Sequence, residues 1–334
     1  MTFTKFYFLN LREKFGKIQV RVDKSFLKKL IVTAAKDNKP HINKNFMKKL
    51  EIKPNLTYGR NITIYGWGRY TDSIPIKKMI KIMNILNYSY SNIEKKVISL
   101  KGGSRGGEVN IKFPINIDKR LGCIIGHILG DGSIDSNYKQ VFFSNSNKEL
   151  LKEFESKMFS IFNVKPRIWM QRKSNFGKTR WEKRLEKIDY LKKNRNCGLF
   201  YTTICGVILN EIFDGFCIGK NKKITQRIKT ASKEFKIGLI RAFYDDEGNV
   251  GKDRIRLFQD NKGILISISK FLKEMGIKPG SIKRYKKRGK FRHYFDIYRK
   301  SNFIRFKDKI GFTSTAKMGD LKEISIIKNF YISK

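Results

Sequence analysis

Two carboxylates stand out by where they fall. Asp131 closes the apolar run LGCIIGHILGDG (121–132), and Glu247 closes IGLIRAFYDDEG (237–248). Aligned without gaps, Gly122 meets Gly238, Gly126 meets Ala242, Gly130 meets Asp246, and Asp131 meets Glu247. Gly122, Gly126 and Gly130 recur every four residues, so on a helix they share one face. Each glycine inside a helix costs roughly 0.5–1 kcal/mol relative to alanine. Three on one face predict a second helix approaching closely there, and Gly238 and Ala242 offer the matching face. Asp118 and Ser232 occupy the N-cap positions of the two helices. Asp131 and Glu247 then lie side by side at two C-terminal ends, where each opposes the helix dipole and the other acid. A divalent cation would remove that repulsion, so this pair is the candidate metal site.

The elements that must hold the pair repeat as well. Each motif is followed by a strand-like run (138–144 and 254–258) and then a helical pattern (147–162 and 261–275). Both helices stop at a similar turn, Asn163-Val-Lys-Pro166 and Gly276-Ile-Lys-Pro279, with acid-to-proline spacings of 35 and 32 residues. Each copy continues into a basic, strand-like region and a last helix ending at Asp214-Gly-Phe216 or Ile310-Gly-Phe312. The reading is an α+β fold built from two tandem, pseudo-symmetric αββαββα units at 118–230 and 231–334. They are preceded by a mainly helical segment (1–97) and a glycine-rich linker (98–117).

Composition narrows the class. The 334 residues carry 73 Lys plus Arg against 29 Asp plus Glu, a formal net charge of +44, together with 26 Phe. A folded body with that charge repels itself unless something negative lies against it, and nucleic acid is the expected partner. No apolar run reaches the roughly 18 residues a membrane span needs, and the N-terminus lacks a secretory core. Cys123, Cys197, Cys205 and Cys217 show no metal-ligand spacing and read as reduced, placing the protein inside the cell, cytoplasmic and nucleoid-associated. His127 reads as a core or helix-interface residue, Phe243 and Tyr244 as core, and Trp169 and Trp181 as packing.

Residues 124–132 (IIGHILGDG) and 240–248 (IRAFYDDEG) resemble the motif of the LAGLIDADG (DOD-type) homing endonucleases, in the monomeric form with two motif copies. The resemblance runs from about Asp118 to the C-terminus. It implies two antiparallel sheets forming a saddle on double-stranded DNA, Mg²⁺-dependent cleavage of both strands across the minor groove, and short 3′ overhangs. It assigns Asp131 and Glu247 as metal ligands, with the backbone carbonyls of Gly130 and Asp246 as further donors. It also implies a basic or amide side chain in each sheet near the scissile phosphate. The candidates are Gln171 or Arg172 in the first copy and Lys252 or Lys290 in the second. Asp246 stands where the family usually has a small residue, which predicts a looser helix contact. The expected DNA-binding residues lie in the basic stretches: Arg167, Arg172, Lys173 and Arg180, then Lys283, Arg284, Lys286, Lys287, Arg288, Lys290 and Arg292. Two other functions fit the same scaffold: a non-cutting DNA-binding regulator, or a maturase that binds intron RNA.

Residues 62–86 resemble the end of a repressor-type helix-turn-helix. A Trp67-Gly-Arg turn is followed by Ser73-Ile-Pro75 opening an amphipathic helix, capped by Asp72 or Ser73 with Pro75 in its first turn. A recognition helix is then expected near 56–66. The competing reading is a small packing domain.

Overall fold

A computed structural model of the chain describes residues 2–11, 18–36, 73–102, 107–137, 139–173, 179–184, 197–287 and 289–326. The N-terminal part comprises β1 (Lys5–Phe6), β2 (Ile18–Val22), α1 (Lys24–Lys36), β3 (Ser73–Pro75), α2 (Ile76–Ile85), α3 (Tyr90–Glu94), β4 (Val97–Gly102), β5 (Glu108–Val109) and β6 (Ile115–Asn116). Four of these strands form an antiparallel sheet in the order β3-β2-β4-β5, in which Val20 pairs with both Ile74 and Leu100. The described N-terminal residues hold the helices α1, α2 and α3, and beside them a sheet that was not expected, in which alternate side chains of β2 are buried together with Ile74 and Leu100. One expectation is corrected: 98–117 is not a linker. Leu100, Val109, Ile111, Ile115 and Ile117 are all buried, and β6 pairs with β1. The helix expected after Ser73-Ile-Pro75 is present as α2, but Ser73 lies in β3 and bonds Gln19 rather than capping it. The recognition helix expected near 56–66 and Asp72 lie outside the described residues.

The first repeat unit runs α4 (Lys119–Leu129), β7 (Gly132–Ile134), β8 (Val141–Asn145), α5 (Lys148–Phe162), β9 (Arg167–Lys173), β10 (Thr179–Arg184), β11 (Cys197–Phe200) and α6 (Thr203–Ile212). The hairpin β12 (Cys217–Ile218)–β13 (Asn221–Lys222) and α7 (Gln226–Lys229) lead to the second unit. That unit runs α8 (Lys233–Glu247), β14 (Gly248–Val250), β15 (Ile255–Gln259), α9 (Lys262–Glu274), β16 (Lys283–Lys287), β17 (Lys290–Ile297), α10 (Lys300–Lys309) and α11 (Thr315–Ile326). The sheets are ordered β10-β9-β11-β8-β7 and β14-β15-β17-β16, antiparallel throughout. The two orders follow one plan, with β10 an added edge strand of the first unit. In both β8 and β15 the first and third residues point inward: Val141 and Phe143, then Ile255 and Leu257.

Local chemistry sets the helix ends. Asp118 accepts from the amides of Arg120 and Leu121, and Ser232 from that of Phe235. Asn147 and Asn261 cap α5 and α9 in the same manner. The last turn of α5 closes on Asn163 at φ 48°, and the turn after α9 on Gly276 at φ 76°.

The motif helices α4 and α8 pack on each other backbone to backbone. A Cβ added to Gly122 would stand 2.0 Å from the Phe235 carbonyl oxygen, one on Gly126 2.4 Å from that of Leu239, and one on Gly238 2.1 Å from that of Lys119. No side-chain rotation relieves a clash with a carbonyl, so the helices would have to separate. Gly126→Val should therefore cost at least about 3 kcal/mol, lowering the melting temperature by about 6–12 °C. Gly319→Ala is the control. Gly319 lies in α11 with no atom within 4 Å of an added Cβ, so this change should stabilise by about 0.5–1 kcal/mol.

Candidate active site

Where α4 and α8 end, Asp131 and Glu247 emerge at the start of β7 and β14. Asp131 is accessible to solvent, and Asn145 at the end of β8 donates its Nδ2–H to the Asp131 Oδ2 at 3.0 Å. The looser contact expected from Asp246 is not found. Its carboxylate fills the space a Gly130 side chain would occupy, 2.6 Å from the position of an added Cβ. The Asp246 side chain is fully buried against His127, whose Nδ1 lies 3.1 Å from both carboxylate oxygens.

The last carbonyls of a helix have no partner within it. Here two lysines meet them. Lys222 Nζ donates to the carbonyls of Gly130 (2.6 Å) and Leu129 (3.1 Å). Lys317 Nζ donates to those of Asp245 (2.5 Å), Gly248 (2.7 Å) and Tyr244 (3.2 Å). The loops bearing them are braced from the opposite unit: Asn261 donates to the Lys222 carbonyl, and Asn147 to the Ser314 hydroxyl. Thr315 is bound through its amide and hydroxyl by Glu149 of α5.

The acids perturb one another. Desolvation, then the charge of Asp246, raises the Asp131 carboxyl to about 6 despite Lys222, His127 and Lys317. Desolvation, then the charges of Asp131 and Asp246, raises Glu247 to about 7, against Lys222 and Arg292. Both values exceed ordinary carboxylate values, so the folded state holds protons that the unfolded chain releases. That contribution to stability is complete below about pH 4 and is lost as pH rises through 6 and 7. The melting temperature of Asp131→Asn should accordingly exceed that of the parent chain by a margin that widens from pH 5 to pH 7.5. Mg²⁺ should raise the parent's melting temperature more at pH 7.5 than at pH 5. Calorimetry across that range checks both.

The other expected residues distribute as follows. Gln171, Arg172 and Lys173 lie on β9 and Arg180 on the edge strand β10 of the first sheet. Arg167 is exposed where β9 begins. Lys283, Arg284 and Lys286 are exposed on β16, Lys287 pairs with Lys290 at the hairpin end, and Arg288 lies outside the described residues. Arg292 on β17 bonds Asp260 at 2.6 Å and is among the charges acting on Glu247. Lys252 occupies the exposed turn between β14 and β15, at the far end of that hairpin from Glu247. The lysines brought to the two acids are instead Lys222 and Lys317. Sequence reading missed them, although each follows a Gly-Phe turn, by six residues from Phe216 and five from Phe312. Asn145 was missed as well. The cysteines are free and buried.

The donors at this site are carboxylate and carbonyl oxygens, which suit a hard divalent cation. Among the described residues no three acidic, imidazole or thiol groups form a ready-made cage. The site thus offers a carboxylate from each motif helix and leaves the remaining positions to backbone, water or substrate oxygens.

Two sheets of one plan, joined through glycine-faced helices with an acid at each end, define the LAGLIDADG class of protein. The profile of the LAGLIDADG-like domain matches residues 118–206 and 234–311, together half of the chain, and the protein belongs to that family. Over 212 residues it is 28% identical to the DNA-directed RNA polymerase subunit Rpo1C of Methanocaldococcus jannaschii, a match covering 60% of this chain. The match spans only 22% of that curated relative. Among solved structures, the homing endonuclease I-DmoI in complex with DNA and Mn is similar at a TM-score of 0.40 and 17% identity, over 58% of this chain and 97% of that one. Full-length DUF199/WhiA from Thermatoga maritima is similar at 0.40 and 14% identity, over 64% of this chain and 63% of that one.

Proposed function

We propose that the protein is a monomeric, site-specific DNA endonuclease that hydrolyses one phosphodiester bond in each strand using a divalent cation, Mg²⁺. The observation that carries this reading is the placement of Asp131 and Glu247 on adjoining helix ends, where the charge of Asp131 raises the proton affinity of Glu247 and that of Asp246 raises both. Asp131 and Glu247 would hold the cation, with the carbonyls of Gly130 and Asp246 as further donors. Bound there, it would stabilise charge on the phosphate and activate water for attack. The chain's own groups do the rest. Asn145 fixes the orientation of Asp131. Lys222 and Lys317 hold the helix ends and keep positive charge beside the acids without filling their coordination positions. Lys222 engages the Gly130 carbonyl through one hydrogen bond, which leaves that oxygen a second lone pair for a cation. The basic strands β9, β10 and β16 supply phosphate contacts, which position the duplex before base edges are read.

The test is cleavage of a randomised duplex library, and of the gene's own locus without an insertion, by the purified chain. Double-strand breaks at one recurring sequence, with short 3′ overhangs and full loss in EDTA, are the expected result. Sequence-selective retention of duplexes without a break at any Mg²⁺ or Mn²⁺ concentration would instead identify a DNA-binding regulator.

A further inference from the structure

The two halves of the site are not equivalent. Where the first motif has Gly130, the second has Asp246, so a third carboxylate stands beside Asp131 and Glu247, while Asp245 is turned to the Thr313 and Ser314 amides. A third acid beside Asp131 and Glu247 could turn outward and join them around a cation. In the structure it is directed inward. Both oxygens of Asp246 face His127 Nδ1 at 3.1 Å, Oδ2 lies 3.4 Å from the Asp131 amide, and the carboxylate has no solvent exposure.

His127 belongs to the other motif helix and is itself fully buried. Phe143 and Phe154 flank its ring at 4.7 and 5.8 Å between centroids and close it off from water. Its Nε2 makes no hydrogen bond, and Glu153 Oε2 stands 3.6 Å away. Glu153 is in turn held by Arg241 and by the Thr313 hydroxyl, each at 2.5 Å. The result is a line of alternating charge through the helix interface: Arg241, Glu153, His127, Asp246. A buried carboxylate with no such partner would carry a large desolvation cost, which coordination to a cation would relieve.

We propose that His127 is a positioning residue that sequesters Asp246, keeping a third carboxylate out of the metal site so that one acid from each motif serves the cation. The proposal rests on the metal-site reading of Asp131 and Glu247 given above, but not on cleavage. Releasing Asp246 should make the site a better metal trap and a poorer catalyst, since a cation surrounded by protein oxygens has fewer positions for phosphate and water.

The probe is Mn²⁺ binding by the DNA-free protein, read by electron paramagnetic resonance at constant pH, alongside thermal melting. His127→Leu should bind Mn²⁺ about 10-fold more tightly than the parent chain. His127→Leu/Asp246→Asn should return to the parent's affinity, because the freed acid is gone. His127→Gln keeps a donor toward Asp246 and should stay near the parent in both readouts. If His127→Leu melts too low to measure, His127→Met, which fills similar space and offers no donor to Asp246, replaces it and should tighten Mn²⁺ binding in the same way. Unchanged or weaker Mn²⁺ binding in folded His127→Leu would overturn the proposal and leave the pair a structural ion pair. If the parent chain bound Mn²⁺ but did not cut DNA, the endonuclease reading would fail while this one stood.

Discussion

Asp131→Asn and Glu247→Gln should each reduce double-strand cleavage by about 10³-fold while changing duplex affinity by less than about threefold. The separation follows from the geometry. The two acids sit at the helix ends, whereas the exposed basic residues of β9 and β16 lie in the sheets. On the proposed reading, losing one carboxylate would remove one of two side-chain ligands and leave backbone carbonyls as the other protein donors. Each substitution also removes a charge that its neighbours raise toward neutrality, so the variants should be as stable as the parent or more so. Lost activity is then not explained by lost fold. A supercoiled plasmid carrying the recovered site is the substrate of choice, because nicking and linearisation are read separately. A variant that nicks one strand at the parent's rate and leaves the other intact would assign one acid to each strand. Full cleavage by both single variants and by the double variant would remove these residues from catalysis.

Affinity for duplex DNA should fall by about 10³–10⁵ between 50 and 200 mM salt, as for a protein that neutralises six to ten phosphates. The chain carries a formal charge of +44, far more than solubility requires. Several basic side chains are already engaged internally: Arg256 with Asp296, Arg241 with Glu153, Arg292 with Asp260. Lys222 and Lys317 are engaged with helix ends. Those residues should contribute little to the salt slope. The exposed Arg167, Lys283, Arg284 and Lys286 are the ones expected to contribute, each lowering it by about one when removed. A fluorescence-anisotropy titration at several salt concentrations measures the slope. A shallow slope, near −1, would mean the basic strands face solvent rather than a polyanion.

Much of the plan could be read from the chain alone. The glycine face of α4, the acids that follow the motif helices, the caps at Asp118 and Ser232 and the turns at Asn163 and Gly276 are written within a few residues of one another. They depend on helix periodicity and on backbone groups that must find a partner nearby. The repeat made the reading firm, because the same order of elements occurs twice. The N-terminal sheet was not legible. Its strands are two to six residues long, and β2 pairs with partners more than 50 positions away, so no local pattern distinguishes it from helix and linker.

By itself the sequence determined the periodic and the local: where the motif helices lie, which faces are small enough to meet, which acids terminate them, and how large the excess of positive charge is. Only the tertiary structure decided what surrounds those acids. Lys222, Lys317, Asn145 and the His127–Asp246 pair reach the site from elements whose separation along the chain carries no periodic signal. The charges of buried groups depend on distances set by packing rather than by spacing in sequence.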